Sequence, residues 1–298
     1  MKKYLFISIL FVFLTVIIGL EFASKHVIPY ALIQPYRITE DINPGDFGLV
    51  AENLSIKTAD SIELDGYWVH TSNVPKAIII FVHGIGGCKE HFFGLSKQMD
   101  NQGYESILFD LRAHGKSEGQ FTTYGFKEKN DIDIIIDRIR LQNDSIKIGI
   151  WGNSLGGAIA LQSMEQENEI TFGVIESTFR DLEEIMIDYQ RRLINLPLGY
   201  YMQKSMREAE KLADFKIKDV KPIQSVRKID RPVLIAHGDS DENISFQYGK
   251  DLYNNLLTRD KKWVLVEGGG HFGLNETGGN KYFHQILEFI TNQVESEN

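Results

Sequence analysis

The sequence predicts an α/β fold: a mostly parallel, twisted sheet of about eight strands, with helices on both faces. Short apolar runs of strand type alternate with helical patterns from residue 77 onward. Two runs that alternate in polarity, at 49–57 and 62–69, precede them and indicate a leading hairpin. The chain has 298 residues and 43% hydrophobic content, which suits one domain with a modest appendage.

The individual elements follow from this alternation. We expect strands at residues 77–83, 104–110, 146–151, 171–176, 232–237 and 263–267, and helices at 90–101, 127–141, 154–165, 245–257 and 280–294. Residues 178–221 interrupt the alternation with helical material, in which Ile185, Met186 and Tyr189 recur at helical spacing. This segment is either a cap over a site or a longer helical crossover between two strands.

The N-terminus bears on where the protein resides. Lys2 and Lys3 precede residues 4–20, which are almost wholly apolar and carry no charge. This run is at the short end of the roughly 17–25 residues that span a bilayer. A signal peptide needs small residues at positions −3 and −1 of the cut, and around residues 21–25 every such pair contains a bulky or charged member. We therefore expect an uncleaved anchor with the lysines in the cytoplasm and the α/β domain outside, with secretion after signal cleavage as the alternative.

These observations divide the chain into three parts. Residues 1–24 form the membrane anchor or signal peptide, residues 25–46 a linker, and residues 47–298 the α/β domain with its insertion at about 178–221. The linker is rich in proline, which is typical of a stalk or a docking strap. A chain that begins near Asp46 is therefore expected to be soluble and active.

Charge and cysteine content exclude some classes of function. The formal net charge of −9 argues against binding to nucleic acid, which depends on lysine and arginine to neutralise phosphates. The single cysteine, Cys88, excludes an internal disulfide. We expect neither a metal bound through thiolates nor an organic cofactor.

Residues 152–156 carry the strongest functional signal. They read Gly-Asn-Ser-Leu-Gly and lie between the apolar run 145–151 and a helical pattern that begins at Gly157. A serine on such a strand-to-helix turn is held in strained backbone geometry, with its hydroxyl clear of the sheet and the next backbone N–H facing the same space. Ser154 is therefore the candidate nucleophile, and a helix N-cap serine is the structural alternative.

A nucleophilic serine needs a base, and the base needs an orienting carboxylate. Downstream, one buried-type strand ends in a loop that contains Asp241, and a later strand leads into a glycine-rich loop with His271. We expect His271 to be the base and Asp241 the acid. Asp239 and Glu242 lie close enough to compete, and Glu176, which ends the strand after the nucleophile, is the second choice for the acid.

The chain order of serine, aspartate and histidine resembles that of the α/β-hydrolase superfamily. Residues 78–87 resemble its strand followed by a His-Gly oxyanion turn. Residues 110–117, Asp-Leu-Arg-Ala-His-Gly-Lys-Ser, resemble its D-x-R-x-x-G-x-S loop. Within the superfamily, the chain resembles the bacterial relatives of the ABHD12/13 and serine aminopeptidase group.

This resemblance implies further roles for residues of this chain. The backbone N–H groups of Ile85 and Leu155 would form the oxyanion hole, because Ile85 follows His83-Gly84 and Leu155 follows the nucleophile. The helical segment 178–221 would be a cap over the active site.

The resulting hypothesis is a membrane-anchored serine hydrolase that cleaves carboxylic esters, including acyl lipids, through an acyl-enzyme. A serine peptidase or amidase with the same triad is the alternative. A non-catalytic interaction protein with the same fold is the alternative of another class. The expected partners are a small ester, lipid or peptide substrate and the membrane.

Overall fold

Eight strands form one sheet in the order β1-β2-β4-β3-β5-β6-β7-β8 in the computed structural model, which describes residues 2–194 and 196–295. The strands are β1 (Val50–Lys57), β2 (Glu63–His70), β3 (Ile78–Val82), β4 (Glu105–Phe109), β5 (Ile148–Asn153), β6 (Ile170–Glu176), β7 (Val233–Gly238) and β8 (Lys261–Val266). The helices are α1 (Lys2–His26), α2 (Ile28–Ile33), α3 (Phe93–Asp100), α4 (Glu128–Gln142), α5 (Leu155–Gln166), α6 (Leu182–Leu193), α7 (Gly199–Ala213), α8 (Pro222–Ser225), α9 (Phe246–Asn255) and α10 (Leu274–Glu295).

The direction of the strands agrees with the sequence prediction. β2 runs antiparallel to β1 and β4, and every other pair of neighbouring strands is parallel. β1 and β2 form the expected hairpin, which adds its two strands to the edge next to β4. The prediction of a mostly parallel sheet of about eight strands is confirmed.

Helices cover both faces of the sheet because its central strands are apolar on both sides. All five residues of β3 are buried. Ile78, Ile80 and Val82 belong to the core shared with α4, α5 and α9, whereas Ile79 and Phe81 belong to the core shared with α3 and α10. Alternate side chains of a strand point to opposite faces, so one strand contributes to two cores. The predicted layering is confirmed.

The insertion at 178–221 has a core of its own. Its two helices, α6 and α7, bury apolar side chains that include Met186 and Met202. These pack with Phe179 and with Ile33 of α2 in a cluster that is separate from the two cores of the sheet. Because α6 and α7 form this separate cluster together with the N-terminal segment, they do more than cover the sheet, which favours the cap over the simple crossover.

The N-terminal helix α1 is apolar and largely exposed. It is 25 residues long, and of these only Ser24 is buried. By length and composition this helix could cross a membrane, although a signal sequence has the same properties. An N-terminal apolar helix of this kind is compatible with a single-pass anchor or with a signal peptide.

The segment predicted as a linker, residues 25–46, is packed against the domain. It contains α2, whose Ile33 is 0% exposed. The guanidinium of Arg37 donates hydrogen bonds to four backbone carbonyls in the loop 114–119. A free stalk would make no such contacts, so the docking-strap interpretation fits the structure. A chain that begins near Asp46 would lose these contacts, and its solubility and activity stay a prediction.

Candidate active site

Ser154 lies on the sharp turn that joins β5 to α5. Its φ of 54° and ψ of −118° are strained for a residue with a side chain. The neighbouring glycines permit this turn: a Cβ at Gly152 would lie 2.2 Å from the carbonyl oxygen of Gly156, and a Cβ at Gly156 would lie 1.9 Å from that of Val82. The backbone strain and the close packing are those of a nucleophile elbow. The N-cap interpretation does not fit, because the Ser154 side chain caps no backbone N–H of α5.

The structure brings Ser154, His271 and Asp241 together. His271 Nε2 lies 2.9 Å from the Ser154 hydroxyl oxygen, and His271 Nδ1 lies 2.8 Å from Asp241 Oδ2. Because an ionised carboxylate only accepts hydrogen bonds, Nδ1 carries the proton and Nε2 is free to accept the serine proton. The three side chains come from different loops at the carboxyl ends of β5, β7 and β8, where an α/β sheet places its ligand site.

Asp241 is held as a carboxylate. Burial alone would raise its pKa, but hydrogen bonds from His237, His271 and the backbone N–H of Ile244 outweigh this effect and hold the pKa well below its usual range. The Asp241 Oδ1 atom accepts from the N–H groups of Asn243 and Ile244, each at 2.8 Å. The side chain is fully buried. A fixed negative charge therefore lies directly behind the His271 ring.

The other acidic candidates lie elsewhere. Glu176 ends β6 and accepts a hydrogen bond from the Tyr282 hydroxyl, and burial raises its pKa. Asp239 accepts from the N–H of Gly268 and from the Ser240 hydroxyl. Among the residues that the structure describes, neither Glu176 nor Asp239 nor Glu242 forms a hydrogen bond or an ion pair with His271. The geometry thus favours Asp241.

His237 is a part of the site whose contact with Asp241 the sequence did not reveal. Its Nε2 lies 2.8 Å from the carbonyl oxygen of Ile244 and 3.2 Å from Asp241 Oδ2. A carbonyl only accepts, so Nε2 carries a proton and donates to both oxygens. His237 therefore positions the loop that carries the acid, because its Nε2–H contacts both Asp241 and Ile244. A histidine at the end of a strand, four residues before the acid, was the only signal in the sequence.

Ile85 and Leu155 both line the cavity that contains Ser154. Within residues 2–194 and 196–295, the N–H groups of these two residues donate to no other protein group. The turn that carries Ile85 is held by His83, whose Nε2 accepts from the N–H of Leu111 at 3.0 Å while Nδ1 lies 2.8 Å from the Gly84 carbonyl. Burial lowers the pKa of His83, so the ring stays neutral in this role. Two backbone N–H groups without a protein acceptor among the described residues, beside the candidate nucleophile, are suited to form an oxyanion hole.

Two cavities of different character meet at the Ser154–His271 pair. One, of about 460 Å³, borders Ser154 and is lined almost wholly by apolar side chains. The other, of about 470 Å³, borders His271 and is more polar. Its walls include Glu176 and Asn153, whose side-chain oxygen Oδ1 is buried with no hydrogen-bond partner among the described residues. Both volumes fall within the roughly 300–1,000 Å³ of ligand pockets.

One group of side chains has the spacing of metal ligands. Ligand atoms of Glu40, Cys88 and His91 lie within 4.8 Å of one another. Burial, together with the neighbouring Glu90, raises the pKa of the Cys88 thiol to about 12. The thiolate is the form of cysteine that binds metals, and this thiol keeps its proton at neutral pH. We therefore propose no metal at this group.

Known proteins share this fold and parts of this sequence. The sequence profile of the family described as "Serine aminopeptidase, S33" matches residues 73–221, half of the chain. The protein YfhR of Escherichia coli O157:H7 is 25% identical over 281 residues, which cover 92% of each chain. Lysophosphatidylserine lipase ABHD12 of Macaca fascicularis is 27% identical over 184 residues, which cover 60% of this chain and 45% of that protein.

A solved structure extends the likeness to most of the chain. The Pyrococcus furiosus esterase Pf2001 superimposes with a TM-score of 0.73 over 88% of this chain and 99% of that one, at 21% identity, which shows a shared fold. The resemblance drawn from the motifs is thereby confirmed. The chain belongs to the serine aminopeptidase S33 family of α/β-hydrolases, and it is a hydrolase.

Proposed function

We propose that this protein is a membrane-anchored serine hydrolase that cleaves carboxylic esters with an apolar acyl group. One observation carries the proposal: Ser154, the first member of the hydrogen-bonded chain Ser154–His271–Asp241, lines an apolar cavity. A buried, strained serine with a base at 2.9 Å has no structural purpose that alanine or glycine would not serve better.

The proposed reaction follows from the contacts. His271 Nε2 takes the Ser154 proton as the hydroxyl oxygen attacks the ester carbonyl carbon, and the N–H groups of Ile85 and Leu155 stabilise the resulting oxyanion. Asp241 stabilises the imidazolium. The imidazolium then gives its proton to the leaving alcohol, and an acyl-enzyme remains on Ser154. Water, deprotonated by the same His271, releases the acid and restores the serine.

The two cavities suggest how an ester would lie. The apolar cavity beside Ser154 suits the acyl chain, and the polar cavity beside His271 suits the leaving alcohol, which must collect its proton from that ring. An alcohol with hydroxyl or other polar groups would meet Asn153 there. The relative ABHD12 carries the name of a lysophosphatidylserine lipase, which is an enzyme of acyl-ester chemistry, and this supports the choice of ester over amide.

A panel of substrates tests the proposal. We expect p-nitrophenyl esters to be hydrolysed at least about 100-fold faster than aminoacyl-p-nitroanilides. The anilides carry a free ammonium group, which the apolar cavity beside Ser154 does not suit. Labelling of the purified protein by a fluorophosphonate probe should accompany this activity. Faster hydrolysis of the anilides would make the protein a peptidase, and no labelling would indicate a non-catalytic binding protein.

We also propose that α1 remains attached as a single-pass anchor, with the catalytic domain outside the cytoplasm. A signal peptidase needs small residues at positions −3 and −1 of its cut, and around residues 21–25 every such pair contains a bulky or charged member. We expect the full chain to stay with membranes through a high-salt wash, because an apolar segment holds it. A soluble protein in the medium with a new N-terminus near Ser24 would contradict the anchor.

The cap should influence the choice of acyl chain. Met186 lines the apolar cavity. Across p-nitrophenyl esters from C2 to C12, we expect Met186→Ala to change the ratio of the hydrolysis rates of long-chain and short-chain esters by roughly 10-fold. One or two methylenes of pocket contact are worth about 1–3 kcal/mol. Tyr200 is the control. Tyr200 is 62% exposed, and its neighbour Tyr201 lines the cavity instead. A changed profile in Tyr200→Ala with a parental profile in Met186→Ala would place the acyl site elsewhere.

A further inference from the structure

The apolar cavity has a wall that does not come from the α/β domain. Besides the cap helices, it is lined by Leu20 of α1 and by Ile28, Ala31 and Leu32 of α2. Ser154 lines the same cavity. The segment expected to anchor the protein therefore also contributes to the space next to the candidate nucleophile.

This wall is held in place by specific contacts. Glu21 of α1 forms an ion pair with Lys204 of α7. The Tyr124 hydroxyl, which belongs to the domain, donates to the carbonyl of Leu32. Farther along, the buried Ile33 accepts a backbone hydrogen bond from Thr122 at 2.8 Å. These contacts join the N-terminal segment to the cap and to the domain, so the wall is a fixed part of the cavity.

The position of Leu20 along α1 relates the cavity to the bilayer. From Lys2 to Leu20 the helix rises by about 27 Å at 1.5 Å per residue. The hydrocarbon core of a bilayer is about 30 Å thick. If the lysines lie at one surface, Leu20 lies close to the other, and the charged residues Glu21 and Lys25 follow at the level of the head groups. The cavity thus begins where the hydrocarbon ends.

The rim of the cavity is suited to the same surface. Leu193 and Ile194, at the end of α6, line the cavity and are 79% and 46% exposed. Exposed large apolar side chains beside a pocket and a spanning helix mark a surface that contacts lipid. Leu193, Ile194, the wall residues of α1 and α2, and Ser154 thus all line the same apolar cavity.

We propose that the N-terminal anchor forms a wall of the acyl cavity, and that the cavity receives the ester-linked acyl chain of a lipid directly from the outer leaflet. The inference rests on the proposed esterase function and deepens it. The acyl chain of the lipid passes from the hydrocarbon core of the bilayer along Leu20 and Ala31 into the cavity without crossing water, while the ester group reaches Ser154. The anchor is then a determinant of specificity as well as of location.

The first test narrows the apolar cavity by enlarging a side chain of its N-terminal wall in the full-length protein. Ala31 is exposed to the cavity, so Ala31→Trp would fill part of it without disturbing a core. We expect the ratio of kcat/KM for p-nitrophenyl dodecanoate to that for p-nitrophenyl acetate to fall at least about tenfold. Val27→Trp is the matched control, because Val27 is exposed one turn earlier and outside the cavity lining, and it should leave the ratio unchanged.

The second test addresses the route from the bilayer. Leu193→Glu places a charge on the exposed rim, and it should lower hydrolysis of a long-chain ester embedded in phosphatidylcholine vesicles at least about tenfold relative to the same ester dispersed in detergent. Leu141→Glu is the control, since Leu141 is 82% exposed at the end of α4, away from the cavity, and it should leave that ratio unchanged.

The outcomes separate this inference from the function on which it rests. Fluorophosphonate labelling of each variant shows that its site is assembled. Parental ratios in labelled Ala31→Trp and Leu193→Glu, with ester hydrolysis that still depends on Ser154, would overturn the inference and leave the esterase intact. If no ester is hydrolysed in a Ser154-dependent way, the proposed function fails, and the inference fails with it.

Discussion

Replacement of Ser154 by alanine is expected to abolish ester hydrolysis and fluorophosphonate labelling. The hydroxyl oxygen, 2.9 Å from His271 Nε2, is the atom that we propose attacks the carbonyl. Loss of a serine nucleophile lowers kcat by on the order of 10⁶ in a well-studied protease, and we expect a loss of that size. Initial rates with a p-nitrophenyl ester measure it.

The Ser154→Ala protein should keep its fold, because the substitution removes one oxygen atom and leaves the close packing around Gly152 and Gly156 unchanged. Thermal unfolding of parent and variant provides the control. Normal turnover in a folded Ser154→Ala protein would refute the triad as the catalytic device.

Replacement of Asp241 by asparagine is expected to lower kcat by roughly 10³–10⁴ while the protein stays folded. The asparagine oxygen can still accept from the N–H groups of Asn243 and Ile244, which turns its amide nitrogen towards the two histidines. That nitrogen donates where the carboxylate accepted. His271 must then move its proton to Nε2, where it can no longer accept the Ser154 proton.

Glu176→Gln is the matched control for this variant. Its side chain can still accept the hydrogen bond from Tyr282, and no described contact joins Glu176 to His271. We expect less than about a tenfold change in kcat. A larger loss in Glu176→Gln than in Asp241→Asn, measured under the same conditions, would move the acid to β6.

The parts of the protein that the sequence predicted depend on local signals. The turn around Ser154 can be recognised from five consecutive residues, and the loops with Asp241 and His271 each come directly after an apolar strand. Parallel strands bring their carboxyl ends to one edge, so residues that are remote in sequence meet there. For this reason the mostly parallel sheet and the neighbourhood of the three side chains could be predicted together.

The parts that could not be predicted depend on contacts between distant segments. A change of one position along a helix turns a side chain by about 100°, and residues 196–201 have no apolar periodicity that would choose between Tyr200 and Tyr201. Likewise, nothing local to α2 indicates that Ile33 is buried under the cap. The proline-rich composition of residues 25–46 is typical of a stalk or a docking strap, and it does not show which contacts the segment makes with the domain.

The docking of α1 on α7 also bears on the order in which the molecule is completed. Glu21 and Lys204 are 183 positions apart, so their contact cannot form until most of the chain has been synthesised. Synthesis proceeds from the N-terminus, and closing so long a loop has a high entropic cost until the intervening domain has folded. We expect the first helix to be inserted alone and to wait for the cap. The acyl cavity would then be among the last features to form, after the sheet and the catalytic turn.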